Sequence, residues 1–403
     1  MPAIVITGLG IVSPIGLNVA DFQAALFAGQ SGMAMLSYPY RGKEVLFPGA
    51  PVKDFDPVRY MDAKRVSLLD RFSQFAVAAA SQAYADSGLA LGAAEAMRTG
   101  TIIGTGVGGI ATLEESYGRL YDAEGSGRVH PFTVPRFMPN AGASHVSMAL
   151  GMTGPSFTVA SACASGLHAM GTAMHMLRTG FIDRAITGGA EACLTLGTLK
   201  GWEGLRVMSP DVCRPFSAHR AGLVLGEGAA MFVLEREEDA RARGARIHAR
   251  LAGFGMSSDA KDLTSPDLEG VTRALTLALE DAELSPEDID YVNAHGTGTR
   301  INDATETAAL KKALGARALA VPVSSSKSMF GHALGAAGAL EMMATVLAVR
   351  EDFAPPTIHY LGSDPECDLD VVPNTGRRHV IRAALNNAFA FGGMNAVMAV
   401  TKA

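Results

Sequence analysis

The sequence predicts an α/β fold, on three observations. Residues 3–7 (A-I-V-I-T) form an all-apolar run closed by Gly8, the pattern of a strand buried on both faces. Apolar runs of strand length alternate with helical patterns along the chain, which implies parallel sheet covered by helices. No stretch rich in Pro, Ser or charge separates the two halves, so both belong to one core.

Taken in order, helical patterns fall at 19–28 and 67–87, and strands at 101–104 and 184–188. Residues 156–161 lead as a strand into a small-residue helix at 163–178. Past residue 245 the alternation resumes with an apolar run at 248–255, a helix at 269–283 and a strand at 289–293. A helix at 303–314, a run at 320–324, a helix at 331–350 and strands at 380–385 and 396–401 complete it. A faint internal repeat is visible. Strand, S-A-C-A-S-G-L-H and a Gly/Ala-rich helix (156–178) match strand, S-S-K-S-M-F-G-H and a second such helix (321–349).

Composition excludes several functions. The 403 residues carry 34 Lys and Arg against 40 Asp and Glu, a formal net charge of −6, and aromatics are 6%. An acidic chain without a long basic run is a poor polyanion binder, so no nucleic-acid partner is expected. The four cysteines (Cys163, Cys193, Cys213, Cys367) contain no C-x-x-C pair, and a chain of this length needs no disulfide staples. The start, M-P-A-I-V-I-T-G-L-G, has no basic region and a short apolar run. A signal segment needs ~7–15 apolar residues and a membrane span ~20. A cytoplasmic location and no membrane insertion are the expectation.

Three turns carry candidate chemistry. Cys163 lies in A-S-A-C-A-S-G, between a strand and a helix. A thiol in a helix's first turn meets free N–H groups and the positive dipole end, which predicts a lowered pKa. That setting favours a nucleophile over an inert buried thiol, whereas the other three cysteines lack it. His168, five residues on, falls about 140° around the helix and reads as structural. In N-A-H-G-T-G-T (293–299), His295 sits in a loop able to bring a ligand close, and Asp303 and Glu306 open the next helix as structural acids. In S-S-K-S-M-F-G-H (325–332), Lys327 and His332 again join strand to helix, and Glu341 is placed to pair with Lys327, since a buried Lys needs a partner. N-N-A-F-A-F-G-G-M-N (386–395) suggests a bend in which Phe391 offers an apolar gate and an amide donor. The run G-T-G-V-G-G (104–109) matches the dinucleotide fingerprint, but the acids about 20 residues on, Asp122 and Glu124, fall in a loop.

One Cys at a strand–helix elbow, an H-G-T-x-T His and a K-S-x-x-G-H His, in that order, resemble the β-ketoacyl-acyl carrier protein synthases, most closely the elongating type II, FabF-like group. The likeness runs from V-I-T-G-L-G-I-V-S-P (5–14) to F-G-G-M-N (391–395) and takes in R-P-F-S (214–217), G-E-G-A (226–229) and G-H-A-L-G-A-A-G-A-L-E (331–341). It implies the thiolase fold, a duplicated five-layer α-β-α-β-α arrangement with two mixed, mainly parallel sheets. The halves would be 1–245, with the nucleophile, and 246–403, with the two histidines. By the same resemblance Cys163 accepts the acyl group and His295 and His332 promote malonyl decarboxylation. Lys327, paired to Glu341, orders the site with Asp303 in support. Phe391 is the gate, and its N–H joins that of Cys163 in the oxyanion hole. Thr297, Thr299 and Phe389 line the substrate path, and Val107 lines the acyl tunnel. Val107 is smaller than the Ile common there, which implies medium to long chains.

The implied partners are acyl- and malonyl-loaded acyl carrier protein, docked at Lys64, Arg65 and Arg71, and a second copy in a homodimer. No metal or resident cofactor is implied; phosphopantetheine arrives on the carrier. Departures from the family pattern are Ala390 and Met394 beside the gate, Gly298, Arg300 and Asn302 in the His295 loop, and Ser217 and Ala221 after Arg214. They leave open a condensing enzyme of a specialised lipid, nodulation-type or polyketide-like pathway. A dinucleotide-dependent oxidoreductase built on 104–109 and a non-catalytic chain-length-factor partner are more distant alternatives; the latter usually lacks the Cys.

Overall fold

The computed structural model describes residues 1–122 and 127–403. Strands β1 (Ile4–Val12), β2 (Thr99–Gly104), β3 (Ser156–Val159), β4 (Arg184–Glu191) and β5 (Gly228–Arg236) form the first half of a sheet. Strands β6 (Ala249–Ser258), β7 (Tyr291–Asn293), β8 (Val323–Ser324), β9 (Ala383–Ala390) and β10 (Met394–Thr401) form the second. The first half runs β1-β5-β4-β2-β3 and the second β6-β10-β9-β7-β8, so the order is the same with every number raised by five. In each half the first two pairings are antiparallel and the last two parallel. The faint repeat in sequence is therefore a full duplication in space. The halves join through a further antiparallel pairing, of Ile4–Ile6 with Ala249–Leu251, so the sheet is mixed rather than mainly parallel as the resemblance implied.

Helices complete five layers. α1 (Arg71–Ser87) covers the outer face of β1, β5 and β4, and α3 (Leu268–Ala282), with α4 (Arg300–Leu314), covers β6 and β10. Between the two halves of the sheet lie α2 (Ser165–Arg178) and α5 (Ala337–Glu351), the two helices that follow the repeated turns. All of α5 from Ala337 to Val349 is buried, as a helix with sheet on two sides requires. α2 and α5 meet through small residues: a methyl on Gly166 would lie 3.1 Å from Ala339 Cβ and 3.1 Å from Gly335 O.

Differences from the sequence reading have local causes. β1 does not stop at Gly8; it continues to Val12 with an irregularity between Ile6 and Gly8. Gly8 and Gly10 are strand residues because α1 lies so close that a Cβ would meet its carbonyls at 2.1 and 1.9 Å. α1 starts at Arg71, four residues after the expected start, because the Asp70 side chain caps it by accepting from Phe72 N–H at 3.1 Å. The hairpin Ala34–Tyr40 with Lys43–Ala50 and the helices Ile110–Tyr121, Ala141–Leu150 and Leu196–Gly204 were not read from sequence. Among the described residues no helix is long and apolar enough to cross a membrane.

Candidate active site

Cys163 sits in a 3-10 turn, Ala162–Ala164, that runs directly into α2. Ala162 takes φ +48°, a left-handed conformation in which a non-glycine residue is strained, at the residue preceding the thiol. The thiol is 5% exposed. Burial pushes it up, to about 12, against the pull of the Lys327 ammonium and of the N–H groups of Phe391 and of Cys163 itself. The expected lowering does not occur, because desolvation outweighs the helix terminus. The resting group is a neutral thiol.

Loop 294–299 follows β7 and is fixed from below by Glu306 of α4. Its carboxylate accepts from the N–H of His295 (2.8 Å) and Gly296 (2.8 Å) and from Asn387 Nδ2 (3.0 Å). Asp303 does the same further along, accepting from Gly298 N–H at 3.2 Å and Phe216 N–H at 2.8 Å. Burial holds the Asp303 carboxyl up, at about 6.

Lys327 is wholly buried and spends its three ammonium hydrogens on three acceptors: Glu341 Oε1, His295 O at 2.6 Å and His295 Nδ1 at 3.1 Å. An ammonium only donates, so His295 Nδ1 must accept, which puts the ring proton on Nε2. The His332 ring lies across that of His295, centroids 5.4 Å apart and planes at 86°. Burial, then the Lys327 charge, lowers both imidazoles well below the ordinary histidine range, so both are neutral. Phe389 packs against the His295 ring edge-on at 5.8 Å.

These groups open onto one cavity of about 590 Å³, lined among others by Cys163, His295, His332, Thr297, Thr299 and Phe389. Phe391 closes one side, its ring stacked on Trp202. The Thr297 and Thr299 hydroxyls are 2.9 Å apart in the wall. A thiol, two neutral imidazoles and a backbone N–H pair in one apolar chamber can bind an acyl group covalently and stabilise an enolate and a tetrahedral oxyanion.

Residues 1–240 match the family model described as β-ketoacyl synthase, N-terminal domain, and residues 248–361 its C-terminal domain. This chain belongs to the β-ketoacyl synthase family. It is 46% identical over 400 residues to nodulation protein E of Rhizobium leguminosarum bv. trifolii, covering 98% of each chain. It is 40% identical over 407 residues to 3-oxoacyl-[acyl-carrier-protein] synthase 2 of Synechocystis sp., covering 99% of this chain and 98% of that one. The solved ishigamide ketosynthase/chain length factor superposes with a TM-score of 0.93 at 36% identity, covering 100% of this chain and 99% of that one.

Within this β-ketoacyl synthase several residues lie elsewhere than the sequence implied. Arg71 is not a free docking cation: it pairs with the Glu227 carboxylate through Nη2 at 2.8 Å and Nε at 3.2 Å. Buried Glu227 needs that charge, because it also holds Val52 N–H. Arg65 turns back to His145 O at 2.7 Å, whereas Lys64 is exposed. Val107 is not in the wall of this cavity and is 39% exposed in the single chain. Its N–H, with those of Gly106 and Gly335 and the Thr105 hydroxyl, is spent on buried Glu191 at 3.2, 2.6, 2.9 and 2.9 Å.

The same contact disposes of the dinucleotide reading. The Gly-rich loop does join a strand to a helix, but its amides hold the enzyme's own carboxylate rather than an open phosphate site. Asp122 ends the helix Ile110–Tyr121, and Glu124 lies outside the described residues. His168 is structural as read, 2.7 Å from Ser161 Oγ and edge-on to Phe254. Sequence reasoning missed Trp202, the clasp at Glu191 and Arg206 at the cavity wall, and named Arg300 only as a departure from the family pattern. Trp202 stood in no motif, and Glu191 ends a strand with no local pattern to mark it.

Proposed function

We propose that this chain is a 3-oxoacyl-[acyl-carrier-protein] synthase, elongating fatty acyl chains by two carbons through decarboxylative Claisen condensation. The observation that carries this reading is the buried Cys163 thiol sharing one cavity with two buried neutral imidazoles, His295 and His332.

Acyl transfer from the carrier thioester forms the Cys163 thioester; the thiol proton passes by a neutral imidazole to the departing carrier thiol. Malonyl-carrier then enters past Thr297, Thr299 and Phe389 and loses CO2, and the charge left on its thioester oxygen is met by imidazole N–H. His295 is fixed as an Nε2–H donor by Lys327, which Glu341 neutralises. The carbanion attacks the acyl carbon, the N–H groups of Cys163 and Phe391 hold the oxyanion, and the Cys163 thiolate leaves and is reprotonated. Each step is served by side chains or backbone N–H groups of this chain, so the reaction as proposed uses no metal or resident cofactor; phosphopantetheine comes with the carrier.

The working unit in this reading is a cytoplasmic homodimer, each copy built from the halves 1–245 and 246–403. Acyl carrier protein docks through exposed cations: Lys64, and Arg206 and Arg300 at the cavity wall. A second reading, a specialised lipid, nodulation-type or polyketide-like elongation, is favoured by the 46% identity to nodulation protein E. The two share every step and differ in the acyl chain. Mass spectrometry of the protein after incubation with acyl-carriers of graded length tests both. An adduct on Cys163, followed by a two-carbon extension with malonyl-carrier, supports condensation, and the ranking of lengths and unsaturation separates the pathways. No adduct on Cys163 from any carrier would overturn the function.

A further inference from the structure

Two rings meet face to face at the cavity wall. The Trp202 indole and the Phe391 ring stack with centroids 5.4 Å apart and planes 22° from parallel. Trp202 comes from the helix Leu196–Gly204 and Phe391 from the turn between β9 and β10. The turn continues through Gly392 and Gly393 at φ +85° and +68°, backbone with little steric restraint of its own. Its backbone is tied by Gly393 N–H donating to Ala390 O at 3.0 Å across Phe391, Gly392 N–H donating to Leu263 O at 2.7 Å, and Asp259 N–H donating to Gly393 O at 2.8 Å. On the Phe391 side chain itself, the stacked partner is Trp202. Yet Phe391 lines the same cavity as Cys163, and its N–H pulls on the thiol.

Resting on the condensing reaction proposed above, we propose that Trp202 is a positioning residue for the oxyanion hole. By stacking on Phe391 it holds that residue's N–H toward the reacting carbon. When the stack parts, the ring and its amide swing on the two glycines and the donor is withdrawn. A paired aromatic contact of this kind biases such an equilibrium by several-fold, and complete loss of one oxyanion donor costs about 100–1000-fold in turnover.

Trp202 is the one tryptophan in the chain, so its emission reports this contact without interference. Trp202→Phe keeps a stacking face and should hold kcat within about twofold of wild type. Trp202→Leu keeps apolar bulk without a face and should lower the kcat of condensation about five- to tenfold, a several-fold bias of the stack read as turnover. Its carrier KM should stay unchanged. Formation of the acyl-Cys163 adduct in both variants, followed by mass spectrometry, shows that they fold and keep the thiol reactive. The Trp202 emission should move when malonyl-carrier is added to the acyl-enzyme, and resting Phe391→Leu should differ from resting wild type.

Wild-type kcat in Trp202→Leu, equal losses in both Trp202 variants, or emission that stays constant through the cycle overturns the positioning role. A wild-type enzyme that forms no acyl-Cys163 and condenses nothing defeats instead the reading on which it rests.

Discussion

Lys327→Met separates what the buried ammonium does for stability from what it does for catalysis. Three acceptors lose their donor together: Glu341 Oε1, His295 O and His295 Nδ1, in a spot with no solvent exposure. Removing one member of a buried ion pair costs about 3–5 kcal/mol, because the other charge stays behind without a partner. The single variant should therefore melt well below wild type. Adding Glu341→Leu removes the orphaned charge, and the double variant should recover most of that loss.

Condensation should not recover with it. Without Lys327, nothing obliges His295 Nδ1 to accept, and the Nε2–H donor is no longer fixed. An ill-placed donor of this sort costs about 100-fold or more. The pH profile supplies an independent readout. The active imidazoles are neutral, and after burial the Lys327 charge is what keeps them so. Loss of activity on acidification should thus begin well below pH 6.5 in wild type and move up toward 6.5 in the double variant. The assay is melting temperature, together with kcat for condensation from pH 5 to 8. A double variant with wild-type kcat, or with an unmoved acid limb, would refute the argument.

Other outcomes follow from the same contacts. Cys163→Ala should carry no acyl adduct by mass spectrometry; an adduct on Cys193 or Cys213 would contradict the cavity assignment. His332→Ala should lose condensation about 100- to 1000-fold while Cys163 still acylates, and parallel loss of both steps would show that His332 serves the thiol alone. The lowered imidazoles also bear on stability. Each contributes stability that is present above about pH 6.5 and lost as pH falls, at up to ~1.4 kcal/mol per unit. The stability advantage of wild type over His332→Asn should shrink on acidification, and a difference constant from pH 7 to 5 would count against a neutral buried ring. Arg71→Ala should lower melting temperature by stranding Glu227, whereas Lys64→Glu should raise carrier KM at low salt and leave melting unchanged. The reverse pattern would restore Arg71 as a docking cation.

The α/β class, the repeat and the candidate residues Cys163, His295, His332 and Lys327 were all legible, because each depends on a local pattern: an apolar run, a turn, a lysine too costly to bury alone. Glu341 was legible for the same reason. What stayed hidden depends on distant neighbours. The thiol's pKa was misread because a helix N-terminus is local, whereas the burial that overrides it comes from α5, β9 and the loops around them. Arg71 looked free because Glu227 is far away in sequence, and the Gly-rich loop looked open to a phosphate because nothing nearby announces that Glu191 claims its amides. Gly8 and Gly10 looked like a strand's end when they mark a helix pressed against its middle.

Gly166 has a consequence for timing that its size conceals. The nucleophile belongs to the turn before α2, and Lys327 and His332 to the turn before α5, so their separation is inherited from how closely two helices lie. That separation is gauged where Gly166 meets Ala339, without a single atom of either in the reaction. Gly166→Ala would wedge the helices apart at 3.1 Å contacts and shift the reacting groups together with them. Misalignment of about an ångström can cost about 100-fold. The enzyme's rate is in this sense calibrated by the absence of one methyl group, at a position no substrate ever touches.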